Sequence, residues 1–322
     1  MKNIISNKYV NFIIKCAIII FLFVVLYYQI YKNANFSEAV LHVKNSITSN
    51  YHILIVVFLL MIVNWSLETI KWKFLIDRFH HISWMDAIEG ILFGITFSLF
   101  TPSRIGEFGG RVFALQNDRL QAIVSTLLGS ATQIVVNISL GTFGFVLFLL
   151  YESQIEIIYL FGVIFMVLLL ISLAHLCLYN IDYLVNKFPH NSKLKNYLKY
   201  IDIIKLYNAK DIFKIEFLSV LKYLVYVFQF MLLIYFFDIE IKFSVLLIST
   251  ISMFFLQTIN PLNIALIDFG FRGNVALFIF SKYTSNNLDI LAATIILWFI
   301  NLIIPAIFGG ISALRFKFIT EK

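Results

Sequence analysis

The sequence predicts an all-α polytopic membrane protein, with about six full spans plus two re-entrant or broken-helix hairpins arranged as an inverted repeat. Three observations carry that prediction. The chain is 61% apolar and only 13% charged, with mean hydropathy +0.89, whereas a soluble domain carries roughly 45–50% apolar and about 25% charged residues. The apolar residues fall into long charge-free runs. Two stretches hold the short or interrupted runs, and the charges around them place them on opposite faces. The 322 residues suffice for several spans in a single transmembrane domain, 1–322.

A spanning helix needs about 20 apolar residues, because the hydrocarbon is roughly 30 Å thick. The charge-free runs are 16–31, 45–67, 90–103, 120–151, 157–181, 223–237, 243–267, 273–281 and 290–314. The first follows Lys2, Lys8 and Lys15, and no small-x-small cleavage site comes after it. It is expected to be an uncleaved span rather than a signal peptide. Runs 90–103 and 273–281 are too short to cross upright, and 243–267 is broken near its end by Asn260-Pro261.

The stretch of about 182–214 holds seven lysines and is the most basic loop, so it is expected in the cytoplasm. The loops 152–156 and 238–242 are poor in basic residues and are expected outside. The N-terminus and the tail carrying Arg315, Lys317 and Lys322 fit the cytoplasmic side. These assignments force residues 84–119 to enter and leave on the inner face, and 243–289 to enter and leave on the outer face. A first repeat of about 51–150 and a second of about 216–314 follow, each a span, a hairpin and a span. Paired interrupted segments in corresponding places point to an inverted repeat with a site between the halves. The two short runs also fit short, tilted spans, and spacing alone leaves both readings open.

The hairpins carry residues that are costly at membrane depth. The first reads Thr101-Pro102-Ser103-Arg104-Ile105-Gly106-Glu107, then Phe108-Gly109-Gly110-Arg111. Pro102 must end or kink a helix arriving from Gly90. Gly106, Gly109 and Gly110 permit close backbone approach. Arg104 and Arg111 flank Glu107 at helical spacing. Paired guanidinium groups suit a phosphate, with Glu107 holding an arginine in place or competing with the anion. The second hairpin repeats the ingredients in Asn260-Pro261 and Asp268-Phe269-Gly270-Phe271-Arg272. Asp268 and Arg272, four apart, can pair. The competing reading is a pair of shallow hairpins whose arginines snorkel to the interface.

In the second span Asn64, Glu68 and Lys71 share one helical face, and Glu68–Lys71 also fits a simple structural pair. Gln133 and Asn137 share a face and suit interhelical hydrogen bonding. Trp72 and Trp84 suit an interface belt. Residues 182–214, with Leu194, Leu198, Ile201 and Ile204, read either as an amphipathic surface helix or as a solvated loop. Cys16 and Cys177 sit in apolar runs without a metal-ligand pattern, and His80-His81 is an isolated pair, so no metal and no cofactor is expected. The net charge of +7 fits basic cytoplasmic loops beside anionic lipid. No nucleic-acid motif accompanies it.

Three segments resemble the flippase-like transmembrane family, the membrane half of lysylphosphatidylglycerol synthases. They are Glu68-Thr69-Ile70-Lys71-Trp72-Lys73, Pro102 to Glu107 with Arg111, and Pro261 followed by Gly270-Phe271-Arg272. The glutamate that the family usually places after the later arginine is here Gly273. The resemblance implies a lipid translocase in the bacterial cytoplasmic membrane, with both termini cytoplasmic. It would move an anionic phospholipid or polyprenyl-phosphate head group between leaflets. Arg104, Arg111 and Arg272 would hold the head group. Pro102, Gly106, Glu107, Pro261, Asp268, Gly270, Glu68 and Lys71 would support them. With no synthase domain after Lys322, aminoacyl transfer is not expected, and with no phosphate-binding G-x-x-x-x-G-K-[ST] loop, direct ATP use is not expected. The alternatives are a membrane-embedded lipid-modifying transferase and an accessory subunit without transport activity. Membrane lipids are the expected partners, nucleic acid is not, and a homo-oligomer is compatible with the sequence.

Overall fold

A computed structural model describes residues 36–101, 104–115, 117–152, 157–187, 200–259 and 265–315. The first run 16–31, Pro102, Pro261, the loop positions Leu194 and Leu198, and the tail from 316 lie outside those residues. The side chain of Asp268 lies outside them too. The described chain is helical, without a strand.

The first helix, α1, is Phe36–Ile76, with non-helical dihedrals at Asn50 (φ −120°, ψ 24°). The chain divides there into two compact units, Met1–Ser49 and Asn50–Lys322. In the first unit, the Thr48 and Ser49 hydroxyls donate to the Asn45 carbonyl. The cavity and the helix contacts described below lie in the second unit.

Helix α2, Trp84–Leu99, starts at a capping box. Ser83 accepts from the Asp86 amide, and Asp86 accepts from the Ser83 amide. It stops at Leu99, three residues before Pro102, as the sequence requires. The chain turns back as α3, Gly106–Val112. Next come α4, Arg119–Glu152, α5, Ile157–Tyr179, and the short α6, Ile181–Lys187. A tight turn at Asp202–Leu206 leads to α7, Ala209–Phe236, whose capping box is Asn208 with Asp211. The second hairpin is α8, Phe243–Thr258, and α9, Ala265–Phe280. Helix α10, Asn287–Trp298, passes through a π-helical turn, Phe299–Ile303, into α11, Ile304–Arg315. Pro305 lacks the N–H that a regular ladder would use, and π turns arise where such a ladder is disturbed.

Four helical stretches are long and apolar enough to cross a membrane among the described residues: Leu41–Ile76, Arg119–Glu152, Ala209–Phe236 and Asn287–Ser312. Large apolar side chains line the outside, and several polar ones are buried among the helices. Ile55, Leu59 and Ile62 on α1, and Phe165, Leu169 and Leu176 on α5, are exposed. Asn64, Glu68, Lys71, Thr132, Ser219 and Gln229 are buried. Apolar side chains outside and polar side chains inside are what a hydrocarbon solvent demands. The chain is an integral membrane protein.

Small residues set the interhelical contacts. A Cβ on Gly110 would lie 2.6 Å from the Phe93 carbonyl oxygen, and one on Gly94 would lie 2.8 Å from Arg111 Cγ. So α2 and α3 pack backbone to backbone. Gly141 and Gly144 of α4 make room for the side chains of Phe255 and Ile251 of α8, and Gly309 of α11 faces the Leu92 carbonyl and Thr96 of α2. The Thr96 hydroxyl also bonds the Ala306 carbonyl at 2.9 Å. The first helix of each hairpin therefore packs on a glycine-bearing long helix from the other half of the chain.

Candidate functional site: a cationic cavity between the hairpins

A cavity of about 410 Å³ opens between α1, α2, α4, α7, α8 and α10. Both hairpins reach it. Arg104, Glu107 and Phe108 come from the first, and Gln257, Thr258 and Arg272 from the second.

Its floor is built around Glu68. This carboxylate receives Lys222 at 2.6 Å, Arg111 at 2.9 Å and Lys71 at 3.0 Å. Glu68, Lys71 and Arg111 are 4%, 2% and 3% exposed, so the charges are held out of solvent. That is tolerable only because each is paired. Arg111 reaches Glu107 as well, through its other terminal nitrogen. Lys71 also donates to Gln133 Oε1 at 3.2 Å, and Gln133 Nε2 donates to Asn137 Oδ1 at 2.9 Å and to the Ser219 carbonyl at 3.1 Å. Lys222 lies over the Trp65 ring at 5.2 Å, and the Trp65 indole donates to the Asn301 carbonyl at 3.1 Å.

Arg104 differs from Arg111. It lines the cavity, with Glu107 no closer than 3.9 Å. Its Nε is buried without a hydrogen-bond partner. Its φ is +55°, in the left-handed region, which costs a non-glycine residue about 1–2 kcal/mol. Strain of this kind gathers at functional sites. Gly106 lies two residues on, and a Cβ there would overlap the Phe97 carbonyl.

The expected residues thus separate. Arg104 and Arg272 line the cavity together with Glu107, Glu68 and Lys71. The Arg272 carbonyl accepts from Gln257 Nε2 at 3.3 Å. Arg111 lies behind the wall, its guanidinium shared by two glutamates. A Cβ on Gly270 would meet open space. Lys222 and Asn301 went unremarked in the sequence. A lone lysine at the edge of the apolar run 223–237 and a lone asparagine inside 290–314 were the available signals. Gln133 and Asn137 join the site through Lys71. No three His, Cys, Asp or Glu side chains converge as metal ligands among the described residues.

Lys71, Arg104, Arg111, Lys222 and Arg272 are five cationic groups in or directly behind the wall, against the acids Glu68 and Glu107. Counting Asp268 as a further full negative charge still leaves a positive excess. Such a wall in an apolar surround attracts an anion.

No curated protein and no solved structure matches the chain significantly. The sequence pattern of the lysylphosphatidylglycerol synthase TM region matches residues 12–309. That span takes in the whole described fold up to the last turns of α11, and with it the Glu68 floor, both hairpins and the cavity. The chain belongs to the lysylphosphatidylglycerol synthase transmembrane-region family.

Proposed function

We propose that this protein is a lipid translocase that carries the head group of an anionic phospholipid or polyprenyl phosphate between leaflets. One observation carries the proposal: the cationic cavity is bounded by both hairpins at once. Arg104 and Arg272 contact the head group from the two sides. Arg111 acts as a positioning residue, fixing Glu68 and Glu107 so that Lys222 and Arg104 face the cavity. Pro102, Pro261, Gly270 and Asp268 are supporting residues of the two hairpins, and Gly106 permits the tight turn after Arg104. Acyl tails stay in lipid. A charged head group in hydrocarbon is costly, and the cavity replaces its water with fixed cations and amides.

The reading includes a single domain, 1–322, of about six spans and two re-entrant hairpins, with repeats of about 51–150 and 216–314 in opposite orientation. Reciprocal packing supports it, since α2 rests on α11 as α8 rests on α4, each across glycine. Rocking of the halves would open the cavity to either leaflet in turn. The basic loop of about 182–214 and both termini then lie in the cytoplasm of a bacterial cell, in its inner membrane.

The test is leaflet exchange of labelled anionic lipid in liposomes holding the purified protein. Exchange is expected for wild type and strongly reduced in Arg104→Ala. If wild-type protein exchanges no phospholipid and no polyprenyl phosphate, the proposal fails. For the topology, single cysteines beside Arg104 and Arg272 should label from opposite sides of the membrane, and labelling of both from one side would remove the inverted repeat.

A further inference from the structure

We infer that His175 is a proton-binding site that clamps α4 to α7 when both of its ring nitrogens carry hydrogen. The clamp stands on geometry outside the cavity. Its effect on lipid exchange rests on the translocase reading above.

The site joins three helices, and none of its residues lines the cavity. His175 of α5 has both ring nitrogens partnered. Nδ1 lies 2.9 Å from Glu216 Oε1 of α7, and Nε2 lies 3.1 Å from Ser139 Oγ of α4. The second carboxylate oxygen, Glu216 Oε2, accepts from the Tyr179 hydroxyl at 2.7 Å. On the repeat boundaries proposed above, α4 ends the first half and α7 begins the second. The chain of bonds Ser139–His175–Glu216 therefore crosses from one half to the other.

The hydrogens along that chain identify the ligand as a proton. The Ser139 hydroxyl donates to the Val135 carbonyl at 2.7 Å, and a hydroxyl has one hydrogen to give. While it is given to Val135, Nε2 must donate to Ser139 Oγ. An ionised carboxylate only accepts, so Nδ1 donates as well, and a ring with two donors is the imidazolium. When Nε2 loses its proton, the Ser139 hydroxyl turns from Val135 to Nε2, and no polar atom of the site is orphaned. The two states differ by one proton and one hydroxyl rotation. Histidine is the side chain whose charge ordinarily changes between about pH 5 and 8. A bond between imidazolium and carboxylate is charge-assisted and roughly twice as strong as its neutral counterpart. Proton uptake thus tightens the link between the helices, and proton loss slackens it.

The neighbouring charges leave Glu216 to this task. On α7, Asp211 pairs with Arg78, Lys214 lies over the Phe74 ring, Lys222 pairs with Glu68, and Lys210 is in the first turn. The charged residues of α4, Arg119 and Glu152, are at its two ends. On α6, which follows α5, Asp182 and Tyr183 are exposed, and on α5 itself Cys177 is exposed. A second bridge joins the same helix pair three residues along α7. Gln133 of α4 donates to the Ser219 carbonyl at 3.1 Å, and Lys71 reaches Ser219 Oγ at 3.4 Å. The helices that His175 clamps are those that support the cavity floor.

The site is tested first by ring-nitrogen NMR of histidine-labelled full-length protein in nanodiscs, with His175→Gln identifying the signals. Between about pH 5 and 8 the His175 nitrogens should pass from the imidazolium pattern to a neutral ring protonated on Nδ1. One unchanging pattern overturns the inference. The clamp is tested by the distance between spin labels at the exposed positions Leu150 of α4 and Tyr235 of α7. The distribution should be narrow in acid and broad in base for wild type, and broad throughout in His175→Gln and in Glu216→Gln. A wild-type distribution that ignores pH overturns the clamp, as does a His175→Gln distribution that follows pH as wild type does. Lipid exchange should run roughly five- to tenfold slower at the acid end in wild type, the difference between a charge-assisted and a neutral hydrogen bond. His175→Gln should lose that dependence, and keeping it overturns the coupling. Failure of the translocase reading looks different: wild type exchanges no lipid at any pH, while the NMR and distance signals still respond.

Discussion

In the first hairpin a Cβ on Gly110 would collide with the backbone of α2, and the arginine that follows is locked between two glutamates. In the second hairpin a Cβ on Gly270 would touch nothing, and one on Gly273 would meet only the end of Leu291. The two segments share proline, glycine, an acid and arginine; the first is welded to its surroundings by the Arg111 ion pairs and close backbone contact, while the described glycines of the second meet no backbone. The likeness in sequence is one of composition. The difference lies in what each glycine packs against, and the first hairpin also carries one arginine with a left-handed backbone on the cavity wall.

The largest effect should come from breaking that weld. Glu68→Ala leaves Lys71, Arg111 and Lys222 sharing a buried space without their common anion. Removing one partner of a buried pair costs roughly 3–5 kcal/mol. Thermal unfolding in detergent should show a large drop in Tm. Adding Lys71→Met should return part of it, since one uncompensated cation is then gone. An unchanged Tm would mean that Glu68 does not hold the first half together.

Next in size is the functional contrast. Arg104→Ala should lower lipid exchange by about 10- to 150-fold, the equivalent of one lost hydrogen bond to a charged group at roughly 1.5–3 kcal/mol. Its stability should be nearly unchanged, because its pairing to Glu107 is long at 3.9 Å and its positive φ costs folding energy that alanine does not worsen. Arg111→Ala should reverse the pattern, with a large loss of stability. Exchange assays and unfolding on the same preparations separate the two arginines, and equal behaviour would erase the distinction between contact and positioning.

Part of this was legible beforehand. Composition forced the membrane class, Pro102 forced a break after α2, and the spacing of Glu68 and Lys71 put them on one face. What spacing could not show is that Glu68 also receives Arg111 from another helix and Lys222 from 154 positions along the chain. Local periodicity reports neighbours within a helix, whereas tertiary pairing depends on how helices cross. For the same reason Arg104 and Arg111 looked equivalent. They flank Glu107 at three and four residues, both helical spacings, yet one sits at a left-handed turn on the cavity wall and the other in a helix pressed against α2. Asn301 was hidden in an apolar run, and it lies in the π turn before Pro305, on the cavity wall.

The smallest effects test the packing side of the comparison. Gly110→Ala should cost about 1–3 kcal/mol, the usual range for forcing volume into a packed contact, because the obstacle is the Phe93 carbonyl and the backbone of Gly94 rather than a side chain that can swing away. Gly109→Ala, one residue earlier in the same helix, faces open space. It should be neutral or gain up to about 1 kcal/mol from helix propensity. Gly270→Ala in α9 should behave like Gly109→Ala, not like Gly110→Ala. Unfolding of the three variants under one set of conditions decides the matter. If Gly270→Ala is as costly as Gly110→Ala, α9 is packed as tightly as α3 and the two hairpins are alike after all. If Gly270→Ala is neutral, the glycine shared by the two motifs serves close packing in the first hairpin only.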